Sequence, residues 1–104
     1  MSVDPGGQLD LMLLSVLDDG PAHGYRVIER LREQSGGAFE LPEGTVYPAL
    51  HRLERRGLLS SRRSEDAPRR RRVYEVTEMG NGALAQKRRD WRAFAGALEA
   101  VIGS

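Results

Sequence analysis

The feature that most constrains the fold is a change of apolar period between residues 44 and 77. Up to Gly57, the apolar side chains recur at the helical spacing i, i+4, i+7: Val46, Leu50 and Leu53. Beyond Gly57 the period falls to two, in short runs over residues 58–64 and 71–77 that flank a proline-containing turn. This stretch therefore predicts a helix ending at Gly57 and a β-hairpin, with Tyr74 and Val76 facing the core.

Helical patterns occupy most of the remaining chain. The three further predicted helices cover residues 8–18, 23–34 and 78–102. Glycine follows the first two, at Gly20 and Gly36, and Thr77 is a favourable cap for the start of the last. The order helix, helix, helix, strand, strand, long helix predicts a mainly α fold with a small β-hairpin.

Composition excludes several classes of protein. The 104 residues contain no cysteine, so disulfide frameworks and cysteine-based zinc sites are excluded. His23 precedes an apolar-periodic run and is interpreted as a helix-start residue, since the other histidine, His51, has no metal-ligand spacing to it. We find no nucleophile–base pair and no phosphate-cradling glycine loop, so we expect neither an enzyme nor a bound cofactor or metal. The apolar run Leu9–Leu17 is too short to span a bilayer, and we expect a cytoplasmic protein.

Positive charge is concentrated in the middle of the chain. Residues 1–51 carry three arginines against eight acidic residues, whereas residues 52–72 carry nine arginines against three acidic residues. Residues 73–104 are balanced, so the net charge of +1 conceals a strongly basic segment. Such an asymmetry favours an anionic polymer as the partner.

Three helices followed by a hairpin are the layout of a winged helix-turn-helix, in which the third helix enters the major groove of DNA. The hairpin is then the wing, which lies along the backbone or the minor groove. On this interpretation residues 1–7 form a flexible tail, residues 8–77 the DNA-binding domain and residues 78–104 a C-terminal dimerisation helix. The arginines of the third helix and of the wing would meet phosphate together.

Three motifs resemble the signatures of PadR-type transcriptional regulators: "HGYRVIERL", "GTVYPALHRLERRGLL" and "RRVYEVTEMG". The resemblance runs from about Leu9 to Val101, and the single C-terminal helix resembles the small branch of the family. Pro42 stands where the family often has serine, and the acidic pair Glu65-Asp66 lies at the wing tip. The resemblance implies a dimeric repressor that leaves an inverted-repeat operator on double-stranded DNA when a small molecule or other signal arrives.

The predicted DNA-contacting residues lie on the third helix and on the wing. They are Thr45, Tyr47, Ala49, His51, Arg52, Arg56, Arg69, Arg70 and Arg72. The first six would face the groove, and the wing arginines would reach the backbone.

A homodimer is predicted from the last helix, whose apolar residues recur every seven positions on a domain too small to cover them. The expected interface residues are Leu11, Leu14, Leu84, Trp91, Leu98 and Val101. Trp91 either packs against the partner or, with Phe94, lines a cleft for a small, flat aromatic effector. The alternative to a DNA-binding regulator is a winged-helix module that binds protein, for which a less basic exposed stripe would be expected.

Overall fold

The chain folds in the predicted order, with one short strand that the sequence did not predict. The computed structural model describes residues 5–64 and 71–103. Its elements are α1 (Pro5–Asp18), β1 (Ala22–His23), α2 (Gly24–Gln34), α3 (Glu43–Arg55), β2 (Leu59–Arg63), β3 (Arg72–Val76) and α4 (Glu78–Ile102). The mainly helical class with a small β-hairpin is confirmed, and α4 has the predicted bounds. Helix α1 begins at Pro5, three residues before the predicted start.

The hairpin is part of a three-stranded antiparallel sheet. The strand order is β1-β3-β2, so β3 lies in the middle. Across the hairpin Ser61 pairs with Tyr74, and on the other side of β3 His23 pairs with Val73. Since β1 leads directly into α2, this pairing ties the start of α2 to the base of the wing.

The core lies between the first three helices, the sheet and the start of α4. Its buried residues are Leu13, Leu14, Val16, Leu17, Ala22, Val27, Leu31, Val46, Ala49, Leu50, Leu53, Leu58, Leu59, Tyr74 and Leu84. The predicted inward positions of α3 are buried, as is Tyr74, while the half-buried Val76 packs against this cluster. Burial of this continuous apolar surface is the main favourable contribution to folding.

The start of α3 is held by its backbone. Pro42 occupies the cap position and its side chain makes no capping hydrogen bond. Instead its carbonyl oxygen accepts hydrogen bonds from the N–H groups of Thr45 and Val46, at 3.0 and 3.1 Å. Pro48 lies inside α3, where its ring leaves one backbone hydrogen bond unmade.

The junction between α3, the wing and α4 depends on two glycines. Gly57 has φ of +80°, a conformation that glycine adopts without strain, and it ends α3. The Thr77 hydroxyl donates to the Gly57 carbonyl at 2.6 Å and accepts from the Gly80 N–H at 3.0 Å. Gly80 itself packs so closely that a Cβ there would lie 2.0 Å from the carbonyl oxygen of Leu58. These contacts fix the direction of α4 relative to α3.

Candidate nucleic-acid interface

The outward face of α3 is formed by four residues spaced i, i+4, i+7 and i+11. They are Gly44, Pro48, His51 and Arg55, and all four are exposed. This face lies opposite the buried residues of α3, as a helical repeat of about 3.6 residues requires. Thr45 is exposed beside it. A helix that buries one side and presents small and basic residues on the other can enter a groove of DNA.

Ala49 does not belong to this face. Its side chain is 1% exposed and packs in the core, so the prediction that it contacts DNA is wrong. The physical reason is its position: Ala49 lies one turn from both Val46 and Leu53, which are buried.

A buried carboxylate on α1 holds two arginines of α3. Asp10 is 4% exposed, and its two carboxylate oxygens accept hydrogen bonds from Arg52 and Arg56. The arginine side chains remain 40% and 54% exposed. Since an unpaired buried carboxylate is costly, these contacts stabilise the packing of α1 on α3. They also direct Arg52 and Arg56 towards α1 rather than towards the middle of the outward face.

The wing adds basic side chains next to α3. Arg62 and Arg63 are exposed on β2, and Arg72 is exposed on β3. Arg72 donates a hydrogen bond to the Ser61 hydroxyl at 2.9 Å, and Ser61 in turn donates to Glu54 of α3. This chain of contacts orients the wing against α3. The predicted contacts Arg69 and Arg70, and the acidic pair at residues 65–66, lie outside the described residues.

A cleft of about 520 Å³ separates the start of α2 from the start of α3 and the base of the wing. Its lining residues are His23, Gly24, Tyr25, Glu43, Tyr47, Arg71 and Arg72. The Tyr47 ring lies directly against Gly24, where a Cβ would come within 2.4 Å of Cε1 of the ring. Tyr47 is half-buried and lines the cleft beside the outward face of α3.

His23 caps α2, as the sequence predicts for a helix-start residue. Its Nδ1 accepts a hydrogen bond from the backbone N–H of Arg26 at 3.2 Å. Burial and the nearby Arg71 guanidinium lower the pKa of His23, whereas Glu29 acts in the opposite direction. The imidazole is thus neutral at pH 7, which leaves Nδ1 free to accept.

A family model for the transcriptional regulator PadR-like family matches residues 13–86, which include α2, α3 and the wing strands. The chain belongs to the PadR family of transcriptional regulators. It is 39% identical over 79 residues to "Transcriptional regulator Rv3488" of Mycobacterium tuberculosis, covering 76% of this chain and 71% of that protein. The members of this family are regulators, and PadR regulators bind DNA and are typically dimeric.

Solved structures of regulators share this fold. A transcriptional regulator from Clostridium thermocellum has a TM-score of 0.80 at 30% identity, covering 93% of this chain and 91% of that one. A PadR family regulator from Clostridium difficile also has a TM-score of 0.80 at 30% identity, with coverage of 90% and 97%. One from Eggerthella lenta reaches 0.83 at 27% identity, with coverage of 92% and 82%. Coverage of this extent includes α4 as well as the winged helix.

Helix α4 of this PadR protein leaves most of its apolar residues uncovered. Trp91 is 43% exposed, and Leu98, Val101 and Ile102 are exposed as well. The rings of Trp91 and Phe94 lie 5.7 Å apart between centroids. Leu84, one of the predicted interface residues, is instead buried in the core of the single chain, as is Leu14 of α1. The predictions that Leu84 and Leu14 form the dimer interface are therefore wrong, because a side chain buried within its own chain is not available to contact a partner. Leu11 remains half-buried at the edge of the core.

The sequence analysis did not include Arg55 among the DNA-contacting residues, although its helical spacing indicates that it is exposed. The residue lies seven positions after Pro48 and eleven after Gly44, on the side opposite Val46 and Leu50. Reading the exposed face as the opposite of the buried one would have found it. The pairing of Asp10 with α3 had no such signal, because the residues are more than 40 positions apart.

Within residues 5–64 and 71–103, no group of three or more potential metal ligands is found. In the same part of the chain, no helix is both long enough and apolar enough to cross a membrane.

Proposed function

We propose that this PadR protein is a homodimeric repressor that acts in the cytoplasm, binds an inverted-repeat operator through its two α3 helices, and is released by a small aromatic effector. The observation that carries the proposal is the outward face of α3, which presents His51 and Arg55 after the uncharged Gly44 and Pro48 and lies beside a basic wing. The alternative of a protein-binding winged helix would need an apolar face at this place.

The residues have different proposed roles in DNA binding. Thr45, His51 and Arg55 reach base edges, since they lie on or beside the outward face of α3. Arg62, Arg63 and Arg72, with Arg69 and Arg70 as sequence-based predictions, contact phosphates from the wing. Arg52 and Arg56 lie at the border of the DNA-binding surface, where each forms an ion pair with Asp10.

The proposed dimer interface is the exposed apolar part of α4. Residues 91–102 carry Trp91, Leu98, Val101 and Ile102, all exposed in the single chain. A two-fold pairing would bury them in both copies and would present two α3 helices to two half-sites.

The proposed effector site lies at the same place. Trp91 and Phe94, together with the same residues of the second copy, would line an apolar cleft in which a flat aromatic molecule stacks. To release DNA, the effector must bind more tightly to the spacing of the α3 helices that does not fit the operator.

The proposal is tested by selecting an operator from a random duplex pool and measuring affinity against salt concentration. Arg55→Ala should lower affinity for the selected duplex by about 1–3 kcal/mol per contact and relax the base preference at one position per half-site. Arg32→Ala is the matched control, because Arg32 is exposed in the last turn of α2.

Selection of no sequence would contradict the proposed function. Equal losses for the Arg55 and Arg32 variants would contradict the placement of α3 in the groove.

A further inference from the structure

Two hydrogen-bond donors face the imidazole of His23 from opposite sides. The Arg26 N–H points at Nδ1 at 3.2 Å, and Arg71 Nη1 lies 3.0 Å from Nε2. The imidazole is positioned by its backbone, since His23 pairs with Val73 in the sheet and caps α2. Arg71 precedes Val73 by two residues and therefore lies beside the ring.

This arrangement leaves one contact without an acceptor. A neutral imidazole carries one proton, and the fixed Arg26 N–H requires Nδ1 to accept. The proton therefore lies on Nε2, so Nε2–H faces a guanidinium that can only donate. In the other tautomer the proton would lie on Nδ1, and Nδ1–H would then face the Arg26 N–H, so that two donors would meet at the helix cap instead. An anion placed between Nε2–H and Arg71 would accept from both and resolve the conflict.

We propose that His23 and Arg71 form a two-donor clamp for one backbone phosphate in each half-site. The proposal rests on the proposed binding of DNA. Phosphate oxygens accept short, charge-assisted hydrogen bonds, and a guanidinium and an imidazole N–H together supply two of them. The clamp lies in the cleft beside α3, so a phosphate held there borders the groove that α3 enters.

The charges around the cleft favour an anion at this end. Among the described residues, Arg71 and Arg72 line it together with one carboxylate, Glu43, and Glu29 also acts on the His23 ring. Arg72 is already bound to Ser61, which leaves Arg71 as the guanidinium next to His23. The lowered pKa of His23 agrees with a neutral ring whose Nδ1 serves the helix cap.

Two substitutions test the phosphate contact without removing the cap of α2. His23→Asn keeps an acceptor for the Arg26 N–H, since asparagine caps helices well, but it removes the Nε2–H donor. It should lower affinity for the selected duplex about tenfold and leave the salt dependence unchanged, because no charge is lost. Arg71→Ala should lower the slope of log affinity against log salt by about 0.9 per contact, hence about 1.8 for a two-fold dimer.

The shared phosphate is identified by coupling. In the double variant, the loss from His23→Asn should nearly vanish, because both groups serve one phosphate. Replacing single phosphates of the duplex by methylphosphonate should weaken the wild-type protein at each contacted phosphate, and at one of these positions per half-site the effect should disappear in the Arg71→Ala protein. The exposed Arg32→Ala variant is the control for a lost charge elsewhere.

The failures are distinguishable. If the wild-type protein binds no duplex, the proposed function is wrong. If it binds and the His23→Asn protein, with an unchanged melting temperature, binds equally well, the clamp is wrong. Fully additive losses in the double variant would overturn it too, since they would assign the two side chains to separate contacts.

Discussion

The two ends of α4 share one seven-residue apolar repeat, but the first end is buried and the second is exposed. Near its start Gly80 and Leu84 are buried against the rest of the chain. Further along, Leu98 has the same position in the seven-residue repeat as Leu84, yet it is 45% exposed, against 2% for Leu84. One periodic pattern thus continues from the core of the domain into a surface that the single chain does not cover.

This difference in burial separates the residues of α4 that stabilise the folded chain from those that would form a dimer. The first two turns of α4 are tied to the winged helix by the Thr77 cap and by the packing of Leu84. An ion pair between Arg88 and Asp18 of α1, at 3.7 Å, lies next along the helix. From Trp91 onward the large apolar residues other than Phe94 are exposed, and the proposed function assigns them to a second copy. Substitutions on either side of this boundary should therefore have different consequences.

Truncation should have the largest effect, and its outcome should depend on where the chain ends. A protein ending at Asp90 retains Leu84 and Arg88 and should stay folded, but it should be monomeric and bind the operator at least a hundredfold more weakly. A protein ending at Gly82 also loses Leu84 and should be unfolded or much less stable. Sedimentation, circular dichroism and duplex binding would measure both. A dimer formed by the protein ending at Asp90 would place the interface outside residues 91–102.

The close packing of Gly80 predicts the next largest effect. Gly80→Ala should lower the free energy of unfolding by about 3 kcal/mol or more, because the added Cβ would overlap the Leu58 carbonyl. Gly82→Ala is the matched control: no atom lies within 4 Å of a Cβ there, and alanine should stabilise the helix by about 0.5–1 kcal/mol. Urea unfolding of both variants checks the difference. Equal stability of the two variants would mean that the start of α4 does not pack against Leu58 as described.

Equivalent substitutions at the two repeat positions compare the ends of α4 directly. Leu84→Ala should destabilise the folded chain by at least about 2 kcal/mol, since it opens a cavity in the core. Leu98→Ala should change the unfolding of a monomer little and should weaken dimerisation instead. The measurements are unfolding at several protein concentrations and the dissociation constant of the dimer. Equal, concentration-independent losses would contradict the boundary between core and interface.

The sequence predicted the elements better than it predicted which residues are covered. The bounds of α4 follow from the Thr77 cap and a long apolar period, both of which are local signals. Leu84 is buried in a core that includes α1, whose residues lie more than 60 positions away and pack against α4, so a repeat alone cannot divide core from interface. The short strand β1 was missed for the same reason, because two residues form a strand only where β3 is present to pair with them.

The candidate site shows the same limit. The periodicity of α3 correctly separated Val46, Leu50 and Leu53 from the exposed side. It could not show that a buried carboxylate on α1 takes up Arg52 and Arg56, or that Arg71 lies against His23. These contacts join residues distant in sequence, and only the packing of the elements brings them together.

The smallest predicted effect concerns the effector and the exposed end of α4. Trp91 is the only tryptophan, so its fluorescence reports on this surface alone. Titration with flat aromatic compounds should quench it saturably and release the operator at matching concentrations, because a ligand that shifts the dimer must bind its two forms unequally. Affinity changes of about fivefold are expected for coupling near 1 kcal/mol. Phe94→Ala should weaken the quenching, because it removes the ring beside Trp91. Leu84→Ala, at the buried end of α4, is the control for a loss of overall stability. Quenching without release would leave the compound as a bystander, and no response across a broad panel would assign Trp91 to packing against the second copy.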